Sequence, residues 1–330
     1  KSLEIENFKS IKHLKLDCKK INIFIGKPNT GKSNILEGIG LLSLPSYYTP
    51  SRKEFSYPLK DLIRFESMTN LFYDNDLGTA IKITADDVYC EIEFGNNTFT
   101  EYIKKGDYLI LNFGFNYNGA LISESITSQP LNLFKFYRFT VIDSFPRTET
   151  EFLLPPRGEN LLSILLTNKD LRRLASEILK EYGLRIVLKP QEQKMEVQKE
   201  IEDIIISFPY SIISDSIQRL IFHLAAIETN KDSIIALEEP ESHSFPFYTK
   251  FLAERIGIDG KNNQYFISTH NPYFLLPLLE KTPKEDIGIF ITYLQDYQTL
   301  IKPLTDEEIQ ELFDLDSSLF LNLDRYINIK

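Results

Sequence analysis

The stretch Gly26, Lys27, Pro28, Asn29, Thr30, Gly31, Lys32, Ser33 fits the pattern G-x-x-x-x-G-K-[ST], with Asn34 and an apolar run behind it. The chemistry of that spacing is anion capture. Two glycines let the backbone wrap close to phosphate groups, so that successive N–H groups and a helix N-terminus point at them. Lys32 would bring a point charge to the β and γ phosphates of ATP, and the Ser33 hydroxyl would ligate Mg²⁺. About two hundred residues later, IIALEEPESH carries an apolar run into Glu238, Glu239, Pro240 and Glu241. Carboxylates are seldom buried without partners, so this cluster either lies solvated on a surface loop or faces a cation or a reacting group. A third group, Ser268, Thr269 and His270, again follows a short apolar run, QYFI.

The phosphate loop decides between the two readings of the acids. In a loop of this kind a neighbouring strand ends in an acid that holds Mg²⁺, commonly through water, and Glu238 occupies that place. Glu239 is then the natural base, able to accept a proton from the attacking water as the γ-phosphoryl group departs. A histidine before Asn-Pro reads, alone, as a turn residue. Placed after the other two clusters, at the end of a strand in a parallel sheet, His270 is expected to sense the ligand and donate to the γ phosphate. The expected catalytic set is Glu239, His270 and Lys32, with Ser33 and Glu238 on the metal.

These side chains need strands and helices to hold them. Lys20 to Ile25 reads as a strand before the glycine loop, and from Ser33 a helix places Ile35, Leu36 and Ile39 on one face. Leu3 to Phe8 alternates in strand fashion, and the two opening strands are expected to pair. AIKIT, VYCEIEF, TFTEYIK and DYLILNFGF, between about Ala80 and Phe115, read as an antiparallel meander. From Asn160 to about Ile206 the spacing suggests helices, with LKPQEQKMEVQKE as a solvated face. A helix from Ser214 through Ala226, the strand SIIAL, a helix through about Ile256 and the strand QYFIS follow. Alternation of that kind implies a parallel sheet. A hairpin over Ile287 to Pro303 and a helix capped by Thr305 with Glu308 complete the pattern.

Composition bounds the function from outside. With 330 residues, 42% of them hydrophobic, the chain can bury a large core, and a formal net charge of -10 argues against a generally basic nucleic-acid binder. Any DNA contact must be regional, and Lys9, Lys12, Lys15, Lys19 and Lys20 are the one local basic cluster, an edge-strand feature or a phosphate contact. The two cysteines, Cys18 and Cys90, form no CxxC pair and cannot build a disulfide framework. No signal-like opening or membrane-length apolar run is present, so the expected location is the cytoplasm, without membrane attachment.

IENFKSIKHLKL, INIFIGKPNTGKSNILEGI, ALEEPESH and STHNPYF together resemble, in order and spacing, the ATP-binding-cassette (ABC) type ATPase heads of the RecF, SMC and OLD (overcoming lysogenization defect) group. The resemblance implies an α/β fold, a P-loop ATPase head with a mixed sheet, an antiparallel β meander and a helical lobe. The head would be single over 1–330, with an N-terminal lobe to residue 155, a helical insert over 156–212 and a C-terminal lobe from 213. In such heads a signature sequence at a helix N-terminus touches ATP held by a second subunit. YSIISDSIQRLIFHL is similar to it, with Ser214, Asp215, Ser216 and Arg219 matching the S-D-G-x-x-R form and Ser214 and Ser216 as nucleotide contacts. Ser216 stands where that form has glycine, Glu238 replaces the commoner aspartate, and Lys27 and Pro28 make an unusual loop interior. Gln129 is a candidate for the glutamine of the lobe-connecting loop.

Only about sixty residues follow His270, too few for the nuclease domain of the OLD enzymes, and the heptads of an SMC arm are missing. The resemblance therefore implies a stand-alone ATPase that dimerises through ATP, in DNA maintenance or anti-phage defence, with the work done by a partner effector such as a nuclease. An ATP-gated scaffold with little turnover stays open beside it. A transporter motor is disfavoured by the poor signature match and the long meander.

Overall fold

A computed structural model describes residues 1–47, 59–126, 131–314, 320 and 323–327. Strand β1 (Ser2–Phe8) buries Leu3 and Ile5 on one side and pairs antiparallel with β2 (Ile11–Asp17), which buries Ile11, Leu14 and Leu16. Strand β3 (Ile21–Gly26) is buried at all six positions. A strand with no polar face needs cover on both sides, which the centre of a parallel sheet supplies. The expected pairing of Leu3–Phe8 with Lys20–Ile25 is therefore not formed, and β1 and β3 belong to different sheets.

The sheet around β3 has six strands in the order β16, β15, β3, β14, β13, β9. These are β9 (Phe134–Tyr137), β13 (Ile234–Glu238), β14 (Gln264–Ser268), β15 (Ile287–Gln295) and β16 (Gln298–Pro303). All neighbours run parallel except the β15–β16 hairpin. The period of two sorts the side chains: Ile21, Ile23 and Ile25 enter one core, while Phe24 enters the other. There its ring stacks between Phe266 and Phe290, at centroid distances of 6.5 and 5.5 Å. Burying a side chain of this size contributes about 2–3 kcal/mol.

The meander is present as expected. Strands β4 (Ile81–Ala85), β5 (Val88–Gly95), β6 (Thr98–Lys105), β7 (Tyr108–Phe115) and β8 (Leu121–Ile126) extend β1 and β2 into a seven-stranded antiparallel sheet. Helix α1 (Lys32–Leu42) packs against both sheets, with Ile35, Leu36 and Ile39 in a core shared with Ile5, Ile83 and Phe136. The short helices α2 (Leu44–Tyr47) and α3 (Leu59–Leu62) add Leu44, Leu59 and Leu62 to it. The second core lies under α4 (Leu161–Thr167), α5 (Lys169–Lys180), α6 (Asp215–Thr229), α7 (Pro246–Gly257), α8 (Pro272–Lys281) and α9 (Asp306–Asp314). The capping box at Thr305 is formed, the Thr305 N–H donating to Glu308 at 2.9 Å.

The stretch 156–212 is helical only as far as Lys180. Beyond it lie β10 (Arg185–Lys189), β11 (Lys194–Ile201) and β12 (Ile204–Pro209), an antiparallel three-stranded sheet. Met195 and Val197 are buried while Lys194, Glu196 and Gln198, which alternate with them, are not, a period of two that the density of Lys, Glu and Gln disguises as helix. The opening lysines also differ from a free basic patch. Lys9 is paired with Glu37, Lys15 with Glu4 at 2.9 Å, and Lys20 donates to the Asp259 carbonyl at 2.8 Å.

Candidate functional site

Three adjacent parallel strands, β3, β14 and β13, end at one edge of the six-stranded sheet. Their register sets Phe24, Ser268 and Glu238 side by side, so the glycine loop, the histidine loop and the acidic loop emerge together. Crevices at the C-terminal ends of parallel strands are where open α/β sheets bind ligands. The three clusters read from the sequence thus meet at one place.

In the glycine loop, Gly26 and Gly31 have φ of 156° and 92°, and Asn29 has φ of 61°. A Cβ on Gly26 would collide with Thr292, and one on Gly31 with Thr299, so both positions exclude any side chain. The β15–β16 hairpin is thus a brace under the loop. The Thr292 hydroxyl lies 2.7 Å from that of Thr30, which donates to the Lys27 carbonyl at 2.8 Å. Helix α1 starts with no side-chain cap, which leaves its first N–H groups for an anion. Lys32 is buried and donates to the carbonyls of Gly26 and Lys27, both at 2.9 Å. Burial holds its ammonium below the usual lysine range, with the Glu239 carboxylate opposing. Two expected contacts point elsewhere: Lys27 reaches Asp324 at 2.8 Å, and the Asn34 side chain donates to Ser10 at 2.7 Å. Pro28 has no N–H to offer.

Glu238 receives Arg64 on one oxygen at 2.5 Å and Arg138 on the other through Nε and Nη2, at 3.2 and 3.1 Å. The same arginines reach Glu37 of α1 at 2.9 and 3.0 Å, and Lys9 completes the group. Glu37 is fully buried, and these three cations are the partners that a buried carboxyl group needs. Burial pushes Glu238 up, but the Ser33 hydroxyl, Arg138 and Arg64 outweigh it and hold the carboxyl below its usual range. Ser33 and Glu238 are two hard oxygen donors within reach of each other, of the kind Mg²⁺ takes, and a cation there would have to displace the guanidiniums that hold both Glu238 oxygens. Among the described residues no cluster of three or more His, Cys, Asp or Glu is placed to hold a metal, so the remaining ligands would be phosphate and water.

Glu239 has φ of 43° and its N–H donates to the Ser268 carbonyl at 3.1 Å. Its carboxylate is 3.1 Å from Nδ1 of His270 and accepts from the Ser242 hydroxyl at 3.2 Å. Both side chains are open to solvent. The signature residues lie at the start of α6. Ser214 is exposed and makes no side-chain cap, Arg219 binds Asp215 at 2.7 Å, and Ser216 accepts the Phe245 N–H at 3.2 Å. The Ser216 hydroxyl therefore ties α6 to the start of α7.

Arg64, Arg138 and Glu37 were not legible as site residues. Arg138 follows the last residue of β9, and Tyr137 pairs with Leu237, which brings Arg138 beside Glu238 from 100 positions away. For Arg138 the available signal was an arginine directly after the aromatic-rich run FKFY. Gln129 lies outside the described residues. Among the described residues no helix is long and apolar enough to cross a membrane.

The AAA ATPase domain family matches this chain over residues 1–221. An ATP/GTP phosphatase of Helicobacter pylori is 22% identical over 367 aligned residues, covering 97% of this chain and 99% of that protein. The DNA replication and repair protein RecF of a Thermoanaerobacter species is 21% identical over 345, covering 99% and 90%. Among solved structures, the Smc head domain with an extended coiled coil from Pyrococcus furiosus, bound to the C-terminal domain of ScpA, superposes with a TM-score of 0.51. It covers 95% of this chain and 98% of that one at 13% identity, a likeness of fold. By family, fold and the layout of its phosphate loop, the chain belongs to the AAA ATPase domain family and is an ATPase with the fold of an ABC-type head, similar in sequence to RecF and in fold to the Smc head.

Proposed function

We propose that the chain binds ATP with Mg²⁺ at the edge of β3, β14 and β13 and hydrolyses it in a cycle that makes and breaks a head-to-head dimer. The observation that carries the reading is the Glu239–His270 contact of 3.1 Å beside Lys32 and the glycine loop. Lys32 would exchange the carbonyls of Gly26 and Lys27 for phosphate oxygens. Ser33 and Glu238 would hold Mg²⁺, which would supply charge neutralisation at the phosphates. Glu239 takes the proton of the attacking water while the water oxygen bonds to the γ phosphorus and the bond to the bridging oxygen breaks. His270 orients Glu239 and stands near the departing phosphoryl group. Arg64 and Arg138, which hold Glu238 here, would keep the site's positive charge partnered until the nucleotide's negative charge arrives.

Ser214, at the exposed N-terminus of α6, is suited to an anion presented from outside the subunit, so a second copy's ATP is the natural partner. ATP shared in this way stabilises the dimer by binding the assembled state. The likeness to RecF, a DNA replication and repair protein, supports a role in DNA maintenance; defence against foreign DNA, a cytoplasmic location and a partner effector such as a nuclease are further parts of the proposal. DNA itself is the weaker partner, since Lys9, Lys15 and Lys20 are engaged within the fold. The scaffold reading, with little turnover, draws on the double arginine hold on Glu238 and on the use of Ser216 inside the subunit. Steady-state phosphate release with and without duplex DNA separates the two. Turnover in the wild type that Glu239→Gln abolishes supports the hydrolysing cycle, and no turnover above background in either condition moves the scaffold ahead.

A further inference from the structure

Glu241, the third acid of the loop after β13, has no part in the reaction above. It is 3% exposed, its Oε1 accepts from the Thr269 hydroxyl, and its Oε2 is buried with no hydrogen-bond partner. A carboxyl in that position is costly, and burial pushes it up to about 7. An apolar residue would fill the space without that cost, so the polar contact itself needs a reason.

Thr269 is fully buried, and its N–H donates to the Phe24 carbonyl of β3 at 3.1 Å. Its hydroxyl also accepts the Asn271 N–H at 3.1 Å, and Asn271 in turn accepts the Tyr273 N–H at 2.9 Å to cap α8. His270 is thereby held between two anchored neighbours. On the other side, the Ser242 N–H donates to the Glu239 carbonyl at 2.9 Å and the Ser244 N–H to that of Glu241 at 3.0 Å. That turn keeps Glu239 in the left-handed region at φ of 43°, a conformation a glutamate holds only when its surroundings impose it.

We propose that Glu241 is a positioning residue for hydrolysis: through Thr269 it ties the loop after β13 to the loop after β14 and so fixes Glu239 against His270. The proposal rests on the reading that these two residues act in hydrolysis.

The test compares Glu241→Ala, Thr269→Val, their double variant and Glu241→Gln in the full chain, by steady-state ATP hydrolysis and by binding of a fluorescent ATP analogue. Thr269→Val keeps the shape of the side chain and carries the test if Glu241→Ala does not fold. Analogue affinity should stay within about twofold of wild type, while kcat falls about tenfold in each single variant and no further in the double. Glu241→Gln should keep most of kcat, because its amide oxygen accepts the same hydroxyl proton. Full activity in Thr269→Val and Glu241→Ala would overturn the proposal. So would loss of affinity and kcat together with no rescue by glutamine, the pattern of a merely structural residue. Glu239→Gln, run in parallel, separates the two layers. If it turns over like wild type the assignment of the base has failed and this proposal with it, whereas if it is inactive while the Glu241 and Thr269 variants are not, only the positioning role has.

Discussion

Replacing Glu241 by glutamine should change how the stability of this ATPase depends on pH. The carboxyl moves from an ordinary value of 4.5 up to about 7, first because it is buried and then because Glu239 is nearby, against the opposing Thr269 hydroxyl and His270 N–H. A raised carboxyl means that the folded state holds the proton more tightly than the unfolded chain. Below the unfolded value both states are protonated and there is no penalty. Between 4.5 and about 7 folding takes up a proton and stability falls as pH rises, and above that window the penalty is constant. At about 1.4 kcal/mol per unit the full effect is on the order of 3 kcal/mol, of which about 2–3 lies between pH 5 and pH 8. Glutamine keeps the hydrogen bond to Thr269 but buries an amide N–H₂, a fixed offset of about 1–3 kcal/mol, so the change in the difference with pH is the quantity to read. An unfolding entropy of about 2.1 cal/mol/K per residue converts that change to about 3–4 °C in Tm for a chain of this length. Thermal unfolding of both proteins across this pH range is the assay. The Tm advantage of Glu241→Gln should grow as pH rises, and parallel curves would refute the reasoning that a buried carboxyl loses its proton there.

Lys32→Ala should weaken binding of a fluorescent ATP analogue by about 10- to 100-fold, the worth of a charged hydrogen bond to phosphate, and undiminished binding would remove the phosphate-loop assignment. Glu239→Gln should leave ATP bound and slow hydrolysis by about 10²–10⁴, since the amide keeps the shape and loses the proton acceptor. Light scattering of that variant should show a dimer with ATP and Mg²⁺ and a monomer with ADP, and the added change Ser214→Arg should block the dimer; a mass indifferent to nucleotide and to Ser214→Arg would sink ATP-shared assembly. Glu37→Gln removes the fully buried carboxylate that Lys9, Arg64 and Arg138 share and should cost about 3–5 kcal/mol in urea denaturation, with a loss under about 1 kcal/mol contradicting the buried network.

The sequence alone was enough for what local sterics and short periods impose. Glycines at 26 and 31, a lysine and a serine at fixed spacing, a largely apolar strand before them and an amphipathic helix after them favour one backbone arrangement, and Gly26 and Gly31 take conformations that other residues resist. Acids directly after SIIAL and a histidine after QYFIS were likewise legible, since an apolar run of four or five residues has to end at an edge of a sheet. Which strands became neighbours was not, because hydrogen bonds between strands join residues far apart and are the same for every sequence. The chain alone gives no reason why Tyr137 should pair with Leu237, and with that pairing went Arg138, Arg64 and Glu37, whose roles exist only when three segments meet. Residues 185–209 show the opposite failure, where charged side chains outside the sheet hid a period of two that Met195 and Val197 obey once a core is there to receive them. Glu241 is the clearest division of all: its presence in the acidic loop is written in the sequence, but its burial and its bond to Thr269, 28 residues away, arise only when β13 and β14 lie side by side, because a carboxyl's chemistry is set by the solvent and partners that the fold leaves it.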